Sequence, residues 1–275
     1  MTNEAPGWQG REFCRYSATG NTFLIFDNRK EDLSTLEKGV YASWCSKHNV
    51  DGLLFVENPQ KSELDFHMRY LNADGGEVEM CGNGARSILH FYSQVLGEKA
   101  KAKRYHFSTQ KGEYLGESSE LFPIQMTELR EWGNIDVSDL FSPQLSSDYL
   151  NTGVPHALYE VSNSQELQEI QLQEVGSKIR YDERFERGVN ANFFCVLGPG
   201  HLRMRTYERG VEGETLSCGT GATAVALSVA KNKSWASPIR IEVGGGTLEI
   251  SFNQDFSEVF LAGPVDLLER NTLKA

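Results

Sequence analysis

Two cysteines in this chain stand in the same local setting. Met80-Cys81-Gly82-Asn83-Gly84-Ala85 recurs, half a chain later, as Ser217-Cys218-Gly219-Thr220-Gly221-Ala222. A cysteine placed just before a Gly-x-Gly turn that opens a helix lies at the helix N-terminus, where unpaired N–H groups and the helix dipole favour negative charge. A thiol there is more readily a thiolate, and the same N–H groups can hold a carboxylate that glycine lets come close. One such cysteine reads equally well as inert packing, since cysteine is among the most buried residue types. Two at matching positions suggest more. If the halves face each other, two thiols flank one ligand, and inversion at an α-carbon without a cofactor needs that arrangement. One thiolate removes the α-proton from one face and the other thiol supplies a proton from the opposite face, while the bound carboxylate stabilises the developing carbanion.

The elements that position these turns also repeat. Met68-Arg69-Tyr70-Leu71-Asn72 precedes the first turn and Met204-Arg205-Thr206-Tyr207-Glu208 the second. Asp51-Gly52 after Val50 aligns loosely with Asn190-Ala191 after Val189, and Gly20-Asn21-Thr22-Phe23 with Gly153-Val154-Pro155-His156. These matches keep one order and nearly one spacing, which predicts two copies of a single α/β unit. Strands are expected at 23–26, 53–56, 66–70, 157–161, 191–197, 202–207, 239–243, 247–252 and 259–261. Central helices are expected at 85–96 and 222–231, with further helices around 32–48 and 166–178.

The composition is that of a globular protein: 39% hydrophobic, 24% charged and 11% aromatic among 275 residues. With 27 Lys+Arg against 38 Asp+Glu the formal net charge is −11, which argues against a dedicated nucleic-acid binder. Five scattered cysteines without a C-x-x-C pair argue against a disulfide framework and for a reducing compartment. No stretch approaches a membrane span, and the N-terminus has no apolar run of signal-peptide type. The expectation is a cytoplasmic protein with no membrane partner. No His/Cys/Asp cluster has zinc spacing. Gly82-Asn83-Gly84 lacks the third glycine of a dinucleotide fingerprint, and no Lys-Ser/Thr follows Gly244-Gly245-Gly246. Neither a metal nor a cofactor is expected.

The segments from Asn72 to Arg86 and from Tyr207 to Ala222 closely resemble the two signatures of the diaminopimelate epimerase family, and the resemblance runs from Gly20-Asn21 to Gly263-Pro264. It implies an α/β fold with mixed sheets. Two pseudo-symmetric domains, 1–122 and 123–262, would each be a curved, mostly antiparallel β-sheet wrapped round a central helix, with 263–275 returning to the first and the active site in the cleft between them. It implies interconversion of LL- and meso-2,6-diaminopimelate without PLP, metal or nucleotide, in lysine and peptidoglycan-precursor synthesis, and dimers are common in the family. By matching position, Cys81 and Cys218 are the acid/base pair. Gly82, Asn83, Gly219 and Thr220 hold the reacting α-carboxylate through backbone N–H groups, and Asn21 lies near the reacting head. Asn72, Asn190 and Arg209 grip the distal head, Glu208 accepts from an ammonium group, and His156 and Glu208 stand near the cysteines to settle their protonation.

The chain departs from the family pattern at Val154, where an asparagine or serine is usual, at Thr22, at the loop before Asp51, and at Glu212, an extra residue relative to the commonest spacing. Two other readings stay open: a cofactor-independent racemase of another amino acid on the same scaffold, and a catalytically silent amino-acid binding protein.

Overall fold

The computed structural model describes residues 10–30, 33, 37–97, 103–126, 131–142 and 145–272. The chain divides into two compact units, Met1–Ile124 with Gly263–Ala275, and Gln125–Ala262.

In the first unit β1 (Glu12–Ala18) and β2 (Asn21–Asp27) form a hairpin closed by Thr19-Gly20. Both turn residues have positive φ, 45° and 91°, the twist that suits a two-residue hairpin. Then follow α1 (Lys38–His48), β3 (Gly52–Glu57), β4 (Phe66–Asn72), α2 (Gly82–His90), β5 (Arg104–Thr109), β6 (Gly112–Glu117) and the two-residue β7 (Ile124–Gln125). The pairings along β1-β2-β3-β4-β5-β6 run antiparallel, parallel, antiparallel, parallel, antiparallel.

The second unit repeats this pattern. Its elements are β8 (Glu131–Trp132), β9 (Ser147–Asn151), β10 (Pro155–Glu160), α3 (Ser164–Glu169), α4 (Leu172–Arg180), β11 (Asn190–Gly198), β12 (His201–Glu208), β13 (Gly213–Thr215), α5 (Gly219–Lys233), β14 (Ile239–Val243), β15 (Gly246–Phe252) and β16 (Val259–Ala262). Along β9-β10-β11-β12-β14-β15 the pairings are again antiparallel, parallel, antiparallel, parallel, antiparallel. The chain then returns to the first unit as β17 (Asp266–Thr272), antiparallel to β1.

Each sheet curls about one helix. α2 packs on β1, β2, β3, β4 and β6, and α5 on β9, β10, β11, β14 and β15. Only a curved sheet brings that many strands to one helix. Ala85, Ile88 and Leu89 of α2, and Ala222 through Leu227 of α5, are buried. Burying a full aliphatic side chain stabilises by about 1.5–3 kcal/mol, so these helices are held by packing. A second core lies on the other face of each sheet. Tyr41, Trp44 and Cys45 of α1 complete it in the first unit, and Leu167, Leu172 and Ile179 of α3 and α4 in the second.

The helices differ from the sequence expectation. Both central helices start three residues early, at Gly82 and Gly219, because Cys81 and Cys218 are their N-caps, and the first ends in a π-helical turn, Phe91–Val95. The helix expected at 166–178 is two. Arg205 Nη1 donates to the carbonyl oxygens of Leu167, Gln168 and Ile170, ending α3, and Ile170 is extended. Of the helix expected at 32–48, α1 accounts for 38–48, while residues 31–32 and 34–36 lie outside those described. Among the described residues, no helix is long and apolar enough to cross a membrane.

Candidate active site

Cys81 and Cys218 occupy equivalent places, one in each unit. Both have extended backbones, and their carbonyls accept from Ala85 N at 2.8 Å and Ala222 N at 2.9 Å. In each case the first N–H groups of a buried helix follow, with no carbonyl four residues back to bond. Cys81 Sγ accepts from Gly84 N at 3.4 Å, and Cys218 Sγ lies 3.6 Å from Thr220 Oγ1. The second glycine of the second turn is required by space, because a Cβ on Gly221 would collide with Asn192 Oδ1 and come 3.3 Å from Cys218 Sγ.

In the first unit the structure brings Asn21 to the Cys81 turn. Asn83 Nδ2 donates to Asn21 Oδ1 at 2.6 Å, and Asn83 Oδ1 accepts from Arg86 Nη2 at 2.7 Å. Asn72 ends β4, exposed; its carbonyl oxygen receives Gly75 N at 2.8 Å.

The second unit holds a longer network. Asn190 Nδ2 donates to Pro155 O at 3.1 Å and its Oδ1 accepts from Arg209 N at 2.8 Å. Asn190 therefore fixes the Arg209 backbone, with its own amide turned to the main chain. The Arg209 guanidinium donates to Arg187 O at 3.1 Å. Glu212 pins the loop beyond it, its Oε1 accepting from Gly210 N at 3.0 Å and Arg180 Nη2 at 3.0 Å. His156 is fully buried. Burial, helped by the charge of Arg209, pulls its pKa down to about 3, so the ring is neutral at physiological pH. Its Nδ1 meets Asn192 Nδ2 at 3.1 Å. Glu208 receives Thr215 Oγ1 at 2.8 Å. Burial pushes its carboxyl above the usual glutamate range, while hydrogen bonds from Thr215 and Cys218 pull it back in part.

Two residues of these networks went unread in the sequence. Asn192 is fully buried and joins His156, Ala157 O and Thr206 Oγ1 against Gly221. Thr152 Oγ1 holds the Cys218 turn by donating to Thr220 O at 2.9 Å. The available signal was alternation, which puts Asn192 on the same strand face as Asn190. Among the described residues, no group of three or more His, Cys, Asp or Glu is gathered to hold a metal ion.

The family model described as diaminopimelate epimerase matches residues 13–122 and 149–268. A protein named diaminopimelate epimerase from Flavobacterium psychrophilum is 35% identical over 267 residues, covering 94% of this chain and 98% of its own length. One of the same name from Aquifex aeolicus is 35% identical over 274 residues, covering 92% and 94%. Among solved structures, a phenazine biosynthesis protein of the PhzF family from Enterococcus faecalis superposes with a TM-score of 0.72 at 12% identity, covering 95% of this chain and 98% of that one. That last likeness is one of fold.

Proposed function

The chain belongs to the diaminopimelate epimerase family, and from that premise we propose that it interconverts LL- and meso-2,6-diaminopimelate by moving the α-proton between Cys81 and Cys218. The observation that carries this reading is the repetition of the site: two thiols, each the N-cap of the buried central helix of its unit, with the same backbone cap. One sulfur, as thiolate, takes the α-proton; the other, as thiol, returns a proton to the opposite face, and reversal exchanges the roles. N–H groups of Gly82, Asn83, Gly219 and Thr220 hold the reacting carboxylate, and Asn21 stands by that head. Asn72, Asn190 and Arg209 take the distal head, and Asn190 also holds the Arg209 backbone in place. Glu208 lies beside Cys218 and exchanges a hydrogen bond with its thiol. His156, being neutral, supports this network without adding charge.

The test is deuterium incorporation at the α-carbon from D2O over a panel of amino acids. Rapid exchange into LL-diaminopimelate is expected. Exchange confined to another amino acid would move the protein to the second reading, a racemase of different specificity, and exchange into none would leave only a binding role.

Val154 bears on that choice. It lies in the bend just before Pro155, the first residue of β10, and is partly exposed, so it does not serve the core. With diaminopimelate as substrate, Val154→Asn restores a polar partner for the distal head and should raise kcat/KM up to about tenfold, since a hydrogen bond to a charged group is worth about 1.5–3 kcal/mol at most positions. A loss of similar size would show that Val154 contacts an apolar part of the true substrate.

Arg209→Lys keeps the charge but not the planar two-point fork, and should lower kcat/KM for diaminopimelate by about tenfold or more. Equal losses on diaminopimelate and on any simple amino acid that exchanges would assign Arg209 to the reacting end instead. The same reading places the enzyme in the cytoplasm, where its five cysteines stay free, and makes it a homodimer, which light scattering of the full chain distinguishes from a monomer.

A further inference from the structure

Arg86 is fully buried on α2, five positions after Cys81. Its Nη2 donates to Asn83 Oδ1 at 2.7 Å and to Thr19 Oγ1 at 3.0 Å, and its Nη1 to Pro264 O at 3.0 Å. Nε has no partner. A buried guanidinium is expensive to desolvate, and replacing such a group with a well-packed apolar one is often neutral or stabilising. The fold itself does not call for the charge. In the second unit the equivalent position is Thr223, whose hydroxyl simply returns to Gly219 O at 2.9 Å, and the same sheet closes round the same kind of helix. The cation at this position is peculiar to the first unit, and it does something there beyond filling the core.

The hydrogen bonds indicate what. A guanidinium only donates, so Asn83 must turn its Oδ1 to Arg86. Its Nδ2 is then committed to Asn21 Oδ1, and Asn21 in turn presents Nδ2, a donor. The same guanidinium holds the Thr19 hydroxyl, in a residue whose positive φ of 45° is unusual for a β-branched side chain. Thr19 belongs to the turn that leads into Asn21. Arg86 thus fixes both the direction of the Asn21 amide and the turn that carries it.

We propose that Arg86 is a positioning residue for the reaction, orienting Asn83 and through it Asn21 so that Asn21 offers an N–H donor to the substrate carboxylate at the Cys81 turn. This rests on the two-cysteine reading above. A carboxylate is the only part of an amino acid head that such a donor serves, because the ammonium group has no acceptor. The charge persists in its buried place: burial draws the Arg86 pKa down to about 10, and negative charge on Cys81 acts in the opposite direction.

A double-mutant cycle tests the relay on the full chain. Arg86→Met, Asn21→Ala and the double variant are compared with wild type in kcat/KM for LL-diaminopimelate, with Tm recorded for each. Arg86→Met should cost about tenfold to a hundredfold in the wild-type background, and less than about threefold once Asn21 is alanine, because its target is gone. A purely structural arginine would cause the same loss in both backgrounds, and that result overturns the relay. If Arg86→Met fails to fold, Arg86→Lys enters the same cycle; lysine keeps the charge but not the fork that spans Thr19, Asn83 and Pro264, so the same unequal losses are expected. Wild-type turnover is measured first. Its absence would overturn the proposed function and the relay with it, whereas equal losses from an active wild type overturn the relay alone.

Discussion

Cys81→Ser and Cys218→Ser should each lower epimerisation by about a thousandfold or more, the scale of losing a positioned general acid or base, with the far-ultraviolet circular dichroism unchanged. The hydroxyl fits where the thiol was. At Cys81 it can still accept from Gly84 N, and at both positions the backbone carbonyl still accepts from Ala85 N or Ala222 N, so both helices keep their caps. Serine supplies neither a usable base nor an acid of matching strength at neutral pH. The two variants should also differ from each other in what remains. A single surviving thiolate that still reaches the α-proton can wash deuterium in from one face without completing inversion, so each variant should retain slow exchange on the stereoisomer whose proton faces its remaining cysteine. Near-wild-type epimerisation in either variant would sink the two-base mechanism. Loss of structure in either would show that the thiol, not the cap, holds the turn.

What the sequence made legible was local or repeated. The Cys-Gly-x-Gly turns are helix starts, and helix starts are set by a few adjacent residues. The two units were legible because Met68–Asn72 and Met204–Glu208 keep their places relative to those turns, and the strand pairings then follow one pattern in both halves. What stayed hidden depends on partners far along the chain. Nothing near Ile170 signals that Arg205 will cap α3 there. Arg86 closes the first signature, and only the fold shows that it is buried against Thr19 and Pro264. Asn190 was read as a residue that grips substrate; only the fold shows that its amide also bonds Pro155 O and Arg209 N. A side chain's type does not say which of its neighbours will claim its hydrogen bonds.

Glu208→Gln should separate chemistry from stability. Glutamine keeps an oxygen that can accept from Thr215 and Cys218, so the geometry beside the thiol survives, but it can neither carry charge nor take up a proton. If Glu208 helps set where the proton sits on Cys218, kcat/KM should fall by about a hundredfold, the lower range for a proton-handling group. Stability should move the other way. Burial raises the Glu208 carboxyl above its unfolded value, and the hydrogen bonds from Thr215 and Cys218 offset only part of that. A raised folded pKa means that the folded state binds the proton more tightly, so this group's contribution is fully present below the unfolded pKa and is lost as pH rises through the folded one. At pH 7 the wild type therefore bears a buried, ionisable carboxyl that glutamine does not, and Glu208→Gln should have the higher Tm. Near pH 4, where the wild-type carboxyl is largely protonated in both states, the difference should shrink. A variant that stays active, or one whose Tm advantage is the same at both pH values, would show that Glu208 packs beside Cys218 without sharing in its proton.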